Sequence, residues 1–227
     1  MFLLIMQSKL TIFILLIIFL SARVVYSQVD YKKDSVKIES YLKKSDSLVF
    51  NNPELALIFS KKYLKLIVQA KNKNREAAAY DNLGRVSFTL GNFEEALNYF
   101  QKSLIIFESL SQEVNIMVMA NNIAVIYLEN KEYDKALEYF EKTLSKAKAL
   151  NREVDIYRTM SNVGLAHEGR GEYMDAYMKF LEVVEIIKRR GERDPLFFAY
   201  NNIGDNYLYR EVYDSALFYF NKSLSSD

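Results

Sequence analysis

The chain has 227 residues, of which 50% are hydrophobic and 26% charged, and it contains seven glycines and two prolines. This composition excludes a disordered or collagen-like chain and leaves little turn-forming material for an all-β fold. The formal net charge of +1, the single histidine and the lack of cysteine argue against nucleic-acid binding, histidine metal centres and disulfide or thiolate chemistry. The composition therefore favours a helical protein.

The first 27 residues are typical of an export signal. Thirteen residues without charge lie between Lys9 and Arg23, fewer than the roughly 20 that span a bilayer as a helix but suited to the core of a signal peptide. Ser27, with Val25 two positions before it, predicts cleavage before Gln28. The alternative is an uncleaved membrane anchor. Both place the bulk of the chain outside the cytosol, in the periplasm or the extracellular space.

The remainder of the chain repeats with a period of 40 residues. Alanine recurs at this interval, at Ala56, Ala96, Ala136, Ala176 and Ala216. Four residues after the last four alanines come Phe100, Phe140, Phe180 and Phe220. Twelve residues before the same alanines stand the small residues Gly84, Ala124, Gly164 and Gly204. A period of this length indicates stacked structural repeats.

Each repeat predicts two helices. Tyr80, Leu83 and Gly84 are spaced as one stripe of a helix, and Ala96 and Phe100 begin the stripe of a second helix. Turns are predicted between them, at Gly91-Asn92 in one unit and at Gly169-Arg170-Gly171 in another. The recurring glycines and alanines are expected to let the paired helices approach closely, so that a larger side chain there would cost about 1–3 kcal/mol.

These residues resemble the tetratricopeptide repeat family. An aromatic, Leu-Gly and Ala-x3-Phe occur in family order at Tyr80, Leu83-Gly84, Ala96 and Phe100. The period of 40 exceeds the usual 34, and the closing proline of the family is replaced by Glu108, Lys148 and Lys188. The resemblance implies an all-α fold, a right-handed α-solenoid of stacked antiparallel helix pairs.

The predicted organisation is a signal peptide or anchor (1–27), a linker (28–36) and a repeat array (37–227). The array divides into units 37–76, 77–116, 117–156, 157–196 and 197–227. The first unit is degenerate, because Lys43 and Lys44 occupy its Leu-Gly positions. The last is incomplete and leaves Phe220 and Leu224 without a following unit. We therefore expect the chain to continue beyond this segment or to self-associate through its last helix.

In this family the first helices of the pairs line a concave surface that binds ligands. Helical spacing places charged, amide and unexpectedly apolar side chains on that face. An asparagine recurs in four units, and its amide could pair with any peptide backbone; equally, it could join its helix to the neighbouring unit. The candidate groove residues are Asn82, Arg85, Phe88, Asn122, Val125, Leu128, Arg158, Asn162, Leu165, Asn202, Leu208 and Tyr209.

No nucleophile elbow, phosphate-binding glycine loop or zinc-protease motif occurs in the sequence. We therefore predict no catalytic residues, cofactor or metal, and interpret His167 as a packed or hydrogen-bonded core residue. The predicted function is an exported protein-interaction scaffold that binds a peptide or protein segment in its groove. The alternative is the extracytoplasmic input region of a larger bacterial signalling protein, such as a sensor kinase or transcription regulator.

Overall fold

A computed structural model describes residues 35–225. Within this range the chain forms ten helices and no strands. The first, α1, covers residues 35–48. The others are α2 (Pro53–Gln69), α3 (Lys73–Thr89), α4 (Phe93–Ser109), α5 (Glu113–Glu129), α6 (Tyr133–Ala149), α7 (Glu153–Gly169), α8 (Tyr173–Arg190), α9 (Asp194–Tyr209) and α10 (Tyr213–Leu224).

The helices pack in chain order. The closest association is within the pairs α3–α4, α5–α6, α7–α8 and α9–α10, and each pair then packs on the next. The first helices of consecutive pairs also meet where α5 contacts α7. Contacts limited to neighbouring units define a solenoid, which confirms the predicted all-α repeat architecture.

The apolar core is a series of clusters along this array. One joins α1, α2 and α3 around Ile38 and Tyr63, and another joins α7, α8 and α9 around Tyr157, Phe180 and Ile203. Each helix pair thus buries its apolar face against the next pair, as expected when a single unit cannot form a core alone.

The small residue of each repeat lies against the phenylalanine of the paired helix, as the register predicted. A Cβ atom built on Gly84 would lie 2.6 Å from Cδ1 of Phe100. Gly164 and Gly204 have the same relation to Phe180 and Phe220. This close approach sets the packing distance within each helix pair.

The helices end where the sequence predicted turns. Gly91 and Gly171 have φ angles of 75° and 78°, and each lies in the short turn between a first and a second helix. In the first unit, Asn52 precedes α2 and its side chain accepts a hydrogen bond of 3.0 Å from the backbone N–H of Leu55. Such a side-chain cap satisfies a free N–H of the first helical turn.

The last helix is more exposed than its equivalents. Leu217 and Leu224 expose 61% and 68% of their surface, whereas Leu97 and Leu137, at the register of Leu217, are half-buried. The earlier leucines are covered by the helix that follows them. No helix of the described residues packs on α10 from its other side, and its apolar side chains are exposed to solvent.

The predicted signal peptide and most of the linker lie outside the described residues. Within residues 35–225, no helix is both long and apolar enough to cross a membrane. The sequence features that predict export are confined to the first 27 residues.

Candidate functional site

The predicted groove residues lie on α3, α5, α7 and α9, the first helices of their pairs. Ten of the twelve line one of three clefts, which we name the polar cleft, the tyrosine cleft and the N-terminal cleft. Asn82 and Leu208 line none of these three. Leu208 is nevertheless 46% exposed, so only Asn82 is withdrawn from solvent.

The polar cleft has a volume of about 940 Å³ and lies between α7, α9 and the end of α8. It contains the predicted residues Arg158, Asn162 and Asn202. Its remaining lining is Asn121, Val154, Tyr157, Ser161, Val183, Ile187, Glu192, Arg193, Asp194, Pro195, Phe198 and Ala199. Amide, hydroxyl and charged groups thus converge on a space that could hold several residues of a peptide.

One wall of the polar cleft is held by ion pairs. Arg190 contacts Glu153 at 2.7 Å and Glu192 at 2.6 Å, which joins the end of α8 to the start of α7. The hydrogen bond from Arg190 lowers the pKa of Glu192, so this carboxylate stays ionised at neutral pH. Glu192 also accepts a hydrogen bond of 3.2 Å from the Tyr157 hydroxyl. These contacts give the cleft a defined shape.

Asn162 and Asn202 are half-buried in this cleft. Neither side chain makes a hydrogen bond to any other residue in the described range 35–225. Their amides therefore keep both donor and acceptor capacity. Arg193, which lies beside them in the cleft, makes no ion pair with the described residues either.

Asn82 does not belong to the groove, and its prediction as a binding residue is wrong. Its side chain is 1% exposed. The hydroxyls of Ser45 and Ser60 donate to its Oδ1 at 3.0 Å and 2.6 Å, and its Nδ2 donates to Asp46 at 2.9 Å. The residue joins α1, α2 and α3, which is the alternative role that the sequence left open for this asparagine.

Asn122 is intermediate between the buried, hydrogen-bonded Asn82 and the half-buried Asn162, whose amide is free. It is half-buried and lines the N-terminal cleft, but its Nδ2 also lies 3.4 Å from Oδ1 of Asp81. The four recurring asparagines therefore do not form a uniform row. Among these four, the amides without a hydrogen-bond partner in the described part of the chain are those of Asn162 and Asn202, at the α7–α9 end.

The N-terminal cleft is smaller, about 230 Å³. It brings together the predicted residues Arg85, Phe88, Asn122 and Val125 with Val49, Phe50, Thr89 and Phe100. Arg85 is engaged there by an ion pair of 2.7 Å with Asp46. Most of the lining side chains are apolar, so this cleft is mainly apolar. Phe50 is the most exposed of them, at 85%.

The tyrosine cleft, about 440 Å³, lies where α5, α7 and α9 end. It contains the predicted residues Leu128, Leu165 and Tyr209. Its other lining residues were not among the candidate groove residues; they are Glu129, Lys131, Tyr133, Glu168, Gly169 and Tyr173. The rings of Tyr173 and Tyr209 stack with their centroids 6.2 Å apart.

Glu168 lines the tyrosine cleft and has a perturbed pKa. Burial raises its pKa from 4.5 to about 7; a hydrogen bond from the Asn206 side chain opposes the shift, and the nearby carboxylate of Asp205 assists it. Its Oε1 atom is buried without a hydrogen-bond partner among the described residues. The signal in the sequence was the break in pattern, because the equivalent positions hold Phe88, Leu128 and Leu208.

His167 is half-buried and its Nδ1 lies 2.7 Å from Oε2 of Glu172. His167, Glu172 and Asp175 are close enough together to hold a metal ion. Arg170, however, pairs with Glu172 at 2.9 Å, and a fixed positive charge disfavours a cation there. His167 is thus hydrogen-bonded within its helix pair, as predicted.

The tetratricopeptide repeat family model matches residues 77–113 and 117–151. No curated protein matches the chain significantly. Residues 77–113 and 117–151 thus match two consecutive tetratricopeptide repeats, and the solenoid described above continues the same helix-pair architecture on both sides of them.

Solved structures share this fold. Aspartyl phosphate phosphatase F from Bacillus subtilis is similar with a TM-score of 0.78 and 18% identity, over 88% of this chain and 54% of that one. BtubC from P. vanneervenii gives a TM-score of 0.70 at 14% identity, over 88% of this chain and 85% of that one. The chain therefore spans about half the length of the first structure.

A Rap protein complexed with Competence and Sporulation Factor is also similar. Its TM-score is 0.70 at 18% identity, and the match covers 82% of this chain and 51% of that one. At these identities the similarity establishes the fold alone.

Proposed function

We propose that this protein is a non-catalytic scaffold that binds an extended peptide or protein segment on its concave face, centred on the polar cleft. The observation that carries the proposal is the convergence of Asn162, Asn202 and Arg158 on one space of about 940 Å³. All three were predicted as groove residues from the repeat register. Free amides at one repeat spacing suit a ligand whose backbone offers donors and acceptors at regular intervals.

The polar cleft divides recognition between two kinds of side chain. Asn162 and Asn202 bind peptide groups of the segment and are insensitive to its sequence. Arg158 and Arg193 attract acidic side chains, while Phe198, which is 67% exposed, contacts apolar ones. The fold similarity to a Rap protein complexed with a named factor supports the use of such a solenoid for ligand binding.

The test uses the full chain and a peptide selected against it from a random display library. We expect the double variant Asn162→Ala/Asn202→Ala to lose at least tenfold in affinity, measured by titration calorimetry, with unchanged helical circular dichroism. Asn98→Ala is the matched control, because Asn98 is an exposed amide on α4, away from the clefts. Equal affinities of the double variant and the wild type would refute the assignment of the cleft.

The proposal includes export. The apolar segment between Lys9 and Arg23 supports secretion across the membrane, with cleavage before Gln28 or retention as an anchor. The N-terminal mass of protein recovered from a bacterial periplasm or medium tests it. A mass that corresponds to a chain beginning at Gln28 supports cleavage. Recovery of the protein only from the cytosol contradicts export.

A second candidate is the extracytoplasmic input region of a larger bacterial signalling protein, a sensor kinase or a transcription regulator. The exposed Leu217, Phe218 and Leu224 of α10 favour it, because a further helix pair would cover them as it does in the preceding units. Self-association through α10 would cover the same side chains. The genomic reading frame separates these alternatives, together with the mass of the chain in solution by light scattering.

A further inference from the structure

Two polar residues interrupt the apolar register at one place in the array. Glu168 occupies a position that holds Phe88, Leu128 and Leu208 in the other units. Asn206 occupies a position that holds Val86, Ile126 and Ala166. The first lies at the end of α7 and the second on α9, the next first helix. A pair of polar substitutions in adjacent units indicates a local requirement that the repeat does not impose.

Both residues have buried acceptor atoms that lack a donor. Oε1 of Glu168 and Oδ1 of Asn206 have no hydrogen-bond partner within the described residues. Nδ2 of Asn206 donates to the backbone carbonyl of Tyr173 at 2.9 Å. The Asn206 side chain also acts as a hydrogen-bond donor to the Glu168 carboxyl group, but Oε1 of that group stays without a donor. Buried acceptors without donors are costly in a folded protein. A ligand that donates hydrogen bonds would satisfy the acceptor of Glu168, which lines the tyrosine cleft.

The surroundings of Glu168 select the charge of that ligand. Tyr133, Tyr173 and Tyr209 line the same cleft. Aromatic faces attract cations, and a carboxylate accepts charge-assisted hydrogen bonds from ammonium or guanidinium groups. We propose that the tyrosine cleft binds a lysine or arginine side chain of the segment held in the polar cleft. This inference rests on the proposed function and adds a specificity pocket to it.

The two clefts are close enough to be reached by one segment. They share α7 and α9, and Glu168 follows Asn162 by six residues on α7. At 1.5 Å per residue this is about 9 Å along the helix. An extended peptide advances about 3.3 Å per residue. The basic side chain therefore belongs about three residues from the part of the segment that Asn162 and Asn202 bind.

Several charged groups share this end of the groove. Lys131, in the turn between α5 and α6, and Glu129, at the end of α5, line the cleft with the three tyrosines. Asp205 of α9 acts electrostatically on Glu168 and favours its protonated form. A bound cation favours the ionised form, so the affinity for a cation rises with pH. Lys131 opposes a cation by repulsion, and Lys131→Met strengthens its binding.

The experiment compares two probes on the full chain, acetyl-lysine amide and its uncharged analogue acetyl-norleucine amide, by ligand-detected NMR titration. We expect at least fivefold tighter binding of the lysine probe at pH 8. Its affinity should fall about tenfold at pH 6, the ratio of ionised fractions for a group with a pKa of about 7. Glu168→Leu, which restores the residue type of the other units, abolishes both the charge preference and the pH dependence.

Glu129→Gln is the matched control, because it removes a carboxylate from the same cleft but leaves Glu168. It should retain the preference for lysine. Equal binding of the two probes, no saturable binding of the lysine probe, or an unchanged preference in Glu168→Leu would each overturn the proposal. The probes do not require the polar cleft, so Asn162→Ala/Asn202→Ala should still bind acetyl-lysine amide. Failure of this inference and failure of the proposed function are therefore distinguishable.

Discussion

The start of the array, α1–α3, and its middle, α7–α9, carry the same repeat register and use it differently. Asn82 and Asn162 are equivalent in sequence. Asn82 is buried among Ser45, Ser60 and Asp46, whereas Asn162 is half-buried in a cleft and makes no hydrogen bond to the described residues. The repeat thus determines where a side chain lies along the array, and the neighbouring unit determines whether it stabilises the fold or remains available to a ligand.

The largest expected effect on the free energy of unfolding concerns the glycine–phenylalanine contact that both regions share. Gly84→Val and Gly164→Val should each lower the free energy of unfolding by about 2–3 kcal/mol, because the added atoms meet Phe100 and Phe180. Urea unfolding followed by circular dichroism measures the loss. Ala78→Val, at an exposed position of α3, is the control and should cost less than about 1 kcal/mol. A loss in only one of the two glycine variants would show that the units are not equivalent.

The second prediction concerns the recurring asparagine, which is buried in the first region and available in the second. Asn82→Ala should lower the free energy of unfolding by about 1–2 kcal/mol, because it removes the acceptor of two buried serine hydroxyls. Asn162→Ala should change it by less than about 0.5 kcal/mol. The same urea titrations provide the comparison. Equal losses in the two variants would contradict the division between a structural and an available asparagine.

The repeat register predicted the fold because it depends on contacts that recur in every unit, such as Gly84 with Phe100. It could not predict the burial of Asn82, whose partners Ser45 and Asp46 lie in the degenerate first unit. There the register lacks its usual Leu-Gly marker, so the facing residues could not be assigned.

The candidate site was predicted in part for the same reason. Arg158, Asn162 and Asn202 follow from helical spacing on first helices. Arg193 and Glu192 do not, because they lie in the connection between α8 and α9, where the repeat imposes no spacing. Glu168 was visible as a departure from the apolar pattern, but only the structure shows that its carboxyl group is buried.

The third prediction uses the buried carboxyl group of Glu168 in the middle of the array, whose repeat position holds Phe88 at the start. Folding raises the pKa of Glu168 from 4.5 to about 7. As the pH rises, the unfolded chain therefore loses this proton at a lower pH than the folded chain does. The stability of the folded state should therefore fall as the pH rises from about 4.5 to 7 and then level off.

Glu168→Leu removes this dependence and should raise the free energy of unfolding at pH 8 by about 1 kcal/mol, a value reduced for the partial exposure of the group. Urea titrations of the variant and the wild type at pH 5 and pH 8 measure the difference. Leu128→Met, a substitution at the same repeat position on α5, is a control without a titratable group. An equal gain for Glu168→Leu at both pH values would show that the carboxyl group is not buried as described.

The smallest effect is expected at a position where the two regions carry different side chains on the groove face. Arg85 at the start of the array corresponds to Leu165 in the middle. The Arg85 guanidinium pairs with Asp46 at 2.7 Å, but both side chains are 45% exposed, and such pairs contribute about 0.2–1 kcal/mol. Arg85→Leu should therefore cost about 0.5 kcal/mol, and the difference should vanish in about 1 M salt, where the Debye length is about 3 Å.

Arg85→Leu also tests whether the start of the array takes part in binding. Because Asp46 already holds this guanidinium, its removal should leave the affinity for a peptide selected on the full chain within about twofold, whereas Arg158→Leu in the polar cleft should weaken it about tenfold, as expected for a charge-assisted hydrogen bond. Calorimetric titration of both variants with the same peptide gives the comparison. A larger loss in Arg85→Leu would move the centre of binding to the N-terminal cleft and make the two regions functionally alike.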